Sequence, residues 1–168
     1  MVSLVKCCLA VSLMFVTLCV IGPGTFIQAQ ANPTASADKM NAKLIIQSGE
    51  KRHNFSIEIA DDDATRAKGL MYRTKIAPDH GMLFDFEKTE QVYMWMKNTY
   101  LSLDMLFVSA DGTIRHIVKN TTPLSQSIIS SGGPVRYVLE VKAGTADRLA
   151  LSRGDRLLHQ LFTPPKAK

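Results

Sequence analysis

The residues best suited to bind a ligand lie near the middle of the chain, beside its only tryptophan, Trp95. The polar triplet Lys97-Asn98-Thr99 follows an apolar segment there, and Asp104 lies within the next apolar segment. A cation, an amide, a hydroxyl and a carboxylate at strand ends can converge on one small polar or anionic ligand. We therefore predict a ligand-binding site made by five residues: Arg73, Lys97, Asn98, Thr99 and Asp104.

The same side chains allow two other interpretations. Lys97 and Asp104 could form an ion pair across neighbouring strands and fix their register, with no ligand involved. Asp104 and Glu140 could instead serve as acid and base of a hydrolase or lyase acting on an envelope component, with Lys97 stabilising negative charge. The residue pattern leaves the catalytic status open.

The methionines offer a metal-based alternative. Met94 and Met96 could bind Cu(I) together with His116, because thioether sulfur is a soft ligand and strand alternation turns His116 toward the core. Methionine also fills irregular gaps in cores, and no two histidines have ligand spacing. The sequence accordingly predicts no metal site and no cofactor.

Two arginines flank the segment Gly69-Leu70-Met71. Arg66 and Arg73 could present their guanidinium groups to a carboxylate or phosphate. We expect Glu140 and Asp155 to be their intramolecular partners, and a bound anion is the alternative.

The N-terminal residues have the pattern of a secretory signal. Lys6 precedes the uncharged apolar run Cys7–Ile21, and small residues precede a cleavage site that we place after Ala31. The pattern predicts export to the periplasm or the medium. In the alternative, an uncleaved anchor, this segment provides the only membrane contact. All three cysteines lie within it, so the mature chain has no disulfide or thiolate site.

The remaining chain divides into a linker over residues 32–40, a single β-rich domain over residues 41–162 and a disordered tail over residues 163–168. The net charge of +5 comes from scattered basic residues without aromatic alternation, which argues against nucleic-acid binding. We expect the excess to give solubility, or weak attraction to an anionic envelope surface.

Short apolar runs separated by turn residues predict the elements that must position these side chains. We expect Gln91–Lys97 and Leu103–Ser109 to pair as a central hairpin, with both faces of the first strand buried. Short helices are predicted after Asp61-Asp62-Asp63 and over Thr145–Leu151. The fold class is mainly β, an antiparallel β-sandwich or partly closed barrel with one or two short helices. The other predicted strands are Ala42–Gln47, Phe55–Ala60, Met82–Phe86, Thr113–Lys119, Arg136–Lys142 and Arg156–Phe162.

Six motifs occur in an order that resembles the Domain of Unknown Function 192 family, over roughly Lys43 to Leu161. The resemblance implies a compact, mostly-β sandwich or barrel, and it implies no established activity. The motifs are Gly69-Leu70-Met71-Tyr72-Arg73, Gly81-Met82-Leu83-Phe84, Trp95-Met96-Lys97-Asn98-Thr99, Leu103-Asp104-Met105-Leu106-Phe107, Val138-Leu139-Glu140-Val141 and Gly154-Asp155.

Overall fold

The computed structural model describes residues 41–162. The predicted signal peptide 1–31, linker 32–40 and tail 163–168 lie outside these described residues. Seven strands and two short helices make up the described part. The strands are β1 Ala42–Ser48, β2 Lys51–Ala60, β3 His80–Met94, β4 Leu103–Val108, β5 Ile114–Val118, β6 Ile129–Lys142 and β7 Arg156–Leu158, and the helices are α1 Asp63–Lys68 and α2 Thr145–Arg148.

The strands form one mixed sheet in the order β5-β4-β6-β3-β2-β1-β7. Neighbouring strands are antiparallel except β2 and β3, which are parallel. The two edges of the sheet meet where Thr113 bridges Arg156 and the Leu157 amide donates to the Gly112 carbonyl at 2.7 Å. The sheet therefore curls into a half-barrel, and the predicted mainly-β, partly closed fold class is confirmed.

The parallel pair creates a crossover that covers one face of the sheet. A parallel connection cannot be a tight turn, so the chain passes over the sheet between β2 and β3 through α1 and residues 69–79. Helix α1 begins at the predicted place, where the Asp62 side chain accepts from the Thr65 amide at 2.8 Å, and Gly69 ends it at φ +47°. Among residues 41–162, no helix is long and apolar enough to span a bilayer.

The predicted central hairpin is wrong. Segments predicted as two strands, Met82–Phe86 and Gln91–Lys97, belong mostly to the single long strand β3, and β6 lies between β3 and β4. Asp104 consequently pairs with Val141, not with Lys97. Residues 95–102 form an irregular connection, and a local turn pattern cannot reveal that a later strand will insert between two earlier ones.

Alternate residues of the strands contribute to two separate hydrophobic cores. The barrel core contains residues from all seven strands, such as Leu44, Leu106 and Leu157. The crossover core lies on the opposite face and contains Leu70 and Met105. Strand β4 is buried on both of its faces.

The segment predicted to have two buried faces has one exposed face. Tyr93 and Trp95 are 56% and 48% exposed, whereas Val92 and Met96 are buried. This prediction from periodicity is therefore wrong, because large aromatic residues are as compatible with an exposed site as with a core.

Candidate functional site

A cavity of about 230 Å³ lies between the sheet and the crossover. Its walls are mainly apolar and come from the Gly69-Leu70-Met71 segment, Phe84, Phe86 and Met94. Its volume exceeds that of the ~150 Å³ engineered cavities that accept benzene. The cavity can therefore hold a ligand with a compact apolar body.

Glu140 supplies a carboxyl group to this cavity. It lies on β6 between Met82 of β3 and Met105 of β4 in the sheet register, and it is 5% exposed. Among residues 41–162 no side chain or backbone group forms a hydrogen bond or ion pair with the Glu140 carboxyl. Burial alone raises the Glu140 pKa from 4.5 to about 8, so the group is mostly protonated at neutral pH.

Aromatic and basic side chains surround the opening of the cavity. The exposed side chains of Tyr93, Trp95 and Lys68 line it there, and the less exposed Arg66 also belongs to the lining. The Arg66 guanidinium is already engaged by Asp63, Glu87 and the Asp85 carbonyl. Lys68 is exposed, and it has no acidic partner among the described residues.

The crossover wall of the cavity is fixed at both ends. Gly69 lies so close to Phe84 that a Cβ there would approach the ring to 3.1 Å. At the other end, the two terminal nitrogens of the Arg73 guanidinium, Nη1 and Nη2, donate to the Glu58 carboxylate at 2.5 and 2.6 Å. His80 Nε2 contacts the same carboxylate at 2.9 Å.

The Glu58 carboxylate remains charged despite its position on the crossover face. Burial raises its pKa, but hydrogen bonds from Arg73 and His80 outweigh that effect, so the pKa lies below its ordinary value. Glu58 and Glu140 both oppose Met82, one from each side of β3. One face of the sheet thus holds a charged carboxylate on β2, paired with Arg73 of the crossover, and a neutral carboxyl group on β6 at the cavity.

Three loops meet beside the cavity, each with a non-glycine residue in the left-handed region. Tyr72, Asn98 and Leu124 have φ values of 65°, 56° and 61°. The Tyr72 amide donates to the Asn98 carbonyl at 2.9 Å, and the Leu124 amide donates to the Thr99 carbonyl at 3.0 Å. Such conformations concentrate at ligand sites, where the surrounding contacts maintain them.

The structure places the five residues of the predicted site in different environments. Thr99 lines the cavity, and the Asn98 amide donates to the Tyr72 hydroxyl at 2.9 Å beside it. Arg73 does not line the cavity and instead pairs with Glu58, and Lys97 is exposed to solvent. Asp104 is buried elsewhere, where it accepts from the Asn120 and Ala146 amides at 2.9 and 2.8 Å. The structure does not gather all five around one cleft, and ligand contact by these residues stays a prediction.

The proposed acid–base pair of Asp104 and Glu140 does not share a cleft. Asp104 opposes Val141, which follows Glu140 on β6, so the two carboxyl groups project from opposite faces of the sheet. The expected arginine partners are also wrong. Arg66 and Arg73 pair with Asp63, Glu87 and Glu58, while Asp155 accepts from the Ser152 amide.

The residues considered for Cu(I) do not assemble. Met94 lines the cavity, Met96 is buried in the crossover core, and His116 is exposed and stacked on Phe107. The predicted inward direction of His116 is wrong because a bulge between Phe107 and Val108 breaks the strand alternation. Among residues 41–162 no three His, Asp or Glu side chains could hold a metal together.

A second, larger cavity lies by the β5 edge and is lined by Arg115, His116 and Arg153. It has no acidic residue in its lining and no side chain comparable to Glu140. The cavity under the crossover is therefore the better candidate site.

Sequence reasoning recognised Glu140 but missed Glu58 and the cavity itself. In β2, Phe55, Ile57 and Ile59 alternate with Ser56 and Glu58, a pattern that predicts a water-exposed Glu58. The missed signal is the long connection between β2 and β3, because a crossover of this length must cover one face of the sheet.

Comparisons with known proteins identify the family but no activity. A Sinorhizobium meliloti protein, whose name proposes a transcription regulator, is 54% identical with a TM-score of 0.68, and the match covers 69% of this chain and 91% of that one. A protein of unknown function from Novosphingobium aromaticivorans is 33% identical with a TM-score of 0.67, covering 70% of this chain and 84% of that one. No curated protein matches. The DUF192 family model, described as "Uncharacterized ACR", matches residues 44–159, and the chain therefore belongs to this family, which confirms the resemblance.

Proposed function

We propose that this protein is an exported, non-catalytic binding module for a small polar or anionic ligand with an apolar body. The cavity under the crossover accepts the apolar body, and Glu140 forms a hydrogen bond with the polar head. Export rests on the signal-peptide pattern of residues 1–31.

One observation carries the proposal: Glu140 is buried at the cavity without a hydrogen-bond partner among the described residues. A buried polar group that lacks a partner is costly, so natural domains retain one chiefly where a ligand or a reaction uses it. A protonated carboxyl adds no negative charge and can donate one hydrogen bond to the oxygen of a hydroxyl, carbonyl or carboxylate. Lys68 at the opening favours an anionic head.

The ligand class can be tested by thermal shift on residues 32–168. The panel contains short-chain carboxylic acids and alcohols, saccharides, wall fragments and inorganic anions. We expect ligands with an apolar body to raise the melting temperature, and inorganic anions to have no effect. Trp95 emission should change with the same ligands, because Trp95 lines the cavity.

Glu140→Leu is the matched variant, since it keeps the cavity apolar and removes the hydrogen bond. We expect it to lose at least tenfold in affinity, in keeping with about 1.4 kcal/mol for one buried hydrogen bond. Lys51→Gln, at the exposed first residue of β2, is the control and should bind normally. A panel without any hit, or equal affinity of Glu140→Leu, would contradict the proposal.

A role in transcription, which the name of the Sinorhizobium protein proposes for that protein, has no support from this site. The helices of residues 41–162 contain six and four residues, too few for a recognition helix in the major groove. The binding module is the function that the geometry supports best.

Export is tested by expressing the full chain in a bacterium and determining the N-terminus of the periplasmic protein. We expect cleavage after Ala31. Full-length protein in the cytoplasm would contradict export and would leave the ligand test unaffected.

A further inference from the structure

The exposed large apolar side chains of residues 41–162 all belong to three neighbouring segments of the chain. These segments are residues 67–77, 91–102 and 119–130, and we call their exposed apolar side chains the aromatic face. Each of the six is at least 48% exposed. They are Tyr72, Tyr93, Trp95, Tyr100, Leu124 and Ile128.

Backbone contacts show that the three segments are adjacent. The Tyr72 amide bonds to the second segment at Asn98, and the rings of Tyr72 and Tyr100 lie 6.3 Å apart, edge to face. The second and third segments are joined by the Leu124 amide and by the pairing of Tyr93 with Ser130. The three segments therefore form one continuous region that carries the aromatic face, and two residues of this face, Tyr93 and Trp95, also line the cavity.

The charges of these three segments have one sign. They contain five basic residues and no aspartate or glutamate. Arg73 is neutralised by Glu58 and Lys119 by Asp147. Lys68, Lys75 and Lys97 have no acidic partner among the described residues. The aromatic face is thus accompanied by uncompensated positive charge.

We propose that the aromatic face docks onto an anionic lipid bilayer. Tryptophan and tyrosine favour the interface between headgroups and acyl chains, and lysines next to them are attracted by anionic lipids. An exposed apolar surface of this kind marks an interaction site, and its positive charge matches an anionic bilayer. Docking would place the opening of the cavity against the lipid. The proposal goes beyond ligand binding and beyond the expectation that membrane contact involves only the N-terminal segment.

Vesicle binding of residues 32–168 tests the proposal, since the N-terminal apolar segment could itself bind lipid. This part can be used alone because the crystallised Sinorhizobium homologue consists mostly of the matching domain. Co-sedimentation compares neutral vesicles of phosphatidylcholine with vesicles that also contain about 30% phosphatidylglycerol. Phosphatidylglycerol is anionic and gives the second kind of vesicle a negative surface potential. We expect binding to the anionic vesicles, with a blue shift of Trp95, the only tryptophan.

Two variants separate docking from ligand binding. Tyr100→Ser/Ile128→Ser removes exposed apolar groups that do not line the cavity, and Lys75→Glu/Lys97→Glu reverses two charges. We expect each double variant to bind anionic vesicles at least tenfold more weakly than the wild type. For Lys75→Glu/Lys97→Glu the reason is that each lysine near an anionic surface accounts for about fivefold in affinity. For Tyr100→Ser/Ile128→Ser the reason is the loss of side chains that favour the membrane interface. Glu140→Leu and the control Lys51→Glu should bind vesicles normally.

Several results would overturn the proposal. The first is no binding of the wild type to anionic vesicles. The second is binding of both double variants to anionic vesicles as tight as that of the wild type. The third is equal binding of the wild type to neutral and to anionic vesicles. Self-association that Tyr100→Ser/Ile128→Ser abolishes, without vesicle binding, would assign the aromatic face to a second copy of the chain instead. A ligand panel without any hit, or unchanged ligand affinity in Glu140→Leu, together with binding to anionic vesicles would contradict ligand binding and leave docking intact, so the two proposals fail separately.

Discussion

Replacing Glu140 by glutamine should stabilise the domain at neutral pH. Burial raises the Glu140 pKa from 4.5 to about 8, so the folded domain retains a proton that the unfolded chain releases at pH 7. Neutral pH is about 2.5 units above the ordinary pKa, and each unit corresponds to about 1.4 kcal/mol. Glu140 therefore lowers the free energy of unfolding at pH 7 by about 3 kcal/mol. Glutamine cannot ionise, so Glu140→Gln should recover this stability.

The effect should depend on pH in one direction. Below pH 4.5 both states of the chain carry a protonated Glu140, and its ionisation costs nothing. Between pH 4.5 and about 8 unfolding releases a proton, so the Glu140 contribution becomes more destabilising as pH rises, and it levels off above about 8. Glu140→Gln should consequently match the wild type near pH 4.5 and exceed it most at pH 8.

Urea denaturation followed by circular dichroism at pH 5, 6, 7 and 8 measures this difference. We expect the gap between Glu140→Gln and the wild type to widen by about 1 kcal/mol for each pH unit. Glu50→Gln, at an exposed turn between β1 and β2, is the control and should follow the wild type. If the free energies of unfolding of wild type and Glu140→Gln changed in parallel with pH, the Glu140 carboxyl would ionise normally in the folded domain, and its pKa would not be raised.

Three further stability predictions can be measured in the same urea assay. Arg73→Met should cost about 2–4 kcal/mol because it leaves the Glu58 charge buried, and the double variant with Glu58→Gln should cost less than the sum; additive costs would argue against a coupled pair. Gly69→Ala should cost about 2–3 kcal/mol, since Gly69 has a positive φ and lies against the Phe84 ring. Gly49 also has a positive φ but lies in open space, so Gly49→Ala should cost about 1 kcal/mol. Equal costs would contradict the contact between Gly69 and Phe84. Asp104→Ala should cost about 2–4 kcal/mol by leaving two amides without an acceptor, while ligand affinity stays unchanged; a selective loss of affinity would instead return Asp104 to the binding site.

Both helix starts and most of the strand segments were predictable from local patterns, although two segments predicted as separate strands belong mostly to β3. The start of α1 followed from Asp62, because a carboxylate cap acts within one turn of the helix. Strand pairing was not predictable in the same way. The insertion of β6 between β3 and β4 depends on contacts between residues far apart in the chain, which hydrophobic periodicity does not report.

The candidate site was partly predictable for the same reason. Polar residues at strand ends drew attention to Thr99 and Asn98, which lie at or beside the cavity. Asp104 is a residue type that could bind a ligand, but its buried carboxylate accepts hydrogen bonds from the Asn120 and Ala146 amides instead. Whether a carboxyl is capped or left without a partner depends on which backbone amides the fold brings near it.

The most direct test is a crystal structure of residues 32–168 soaked with small fragments that combine an apolar body with one oxygen acceptor. We expect fragments in the cavity under the crossover, each with an oxygen about 2.5–3.0 Å from the Glu140 carboxyl. Fragments bound only in the second cavity or on the surface, with the crossover cavity empty in every soak, would contradict it.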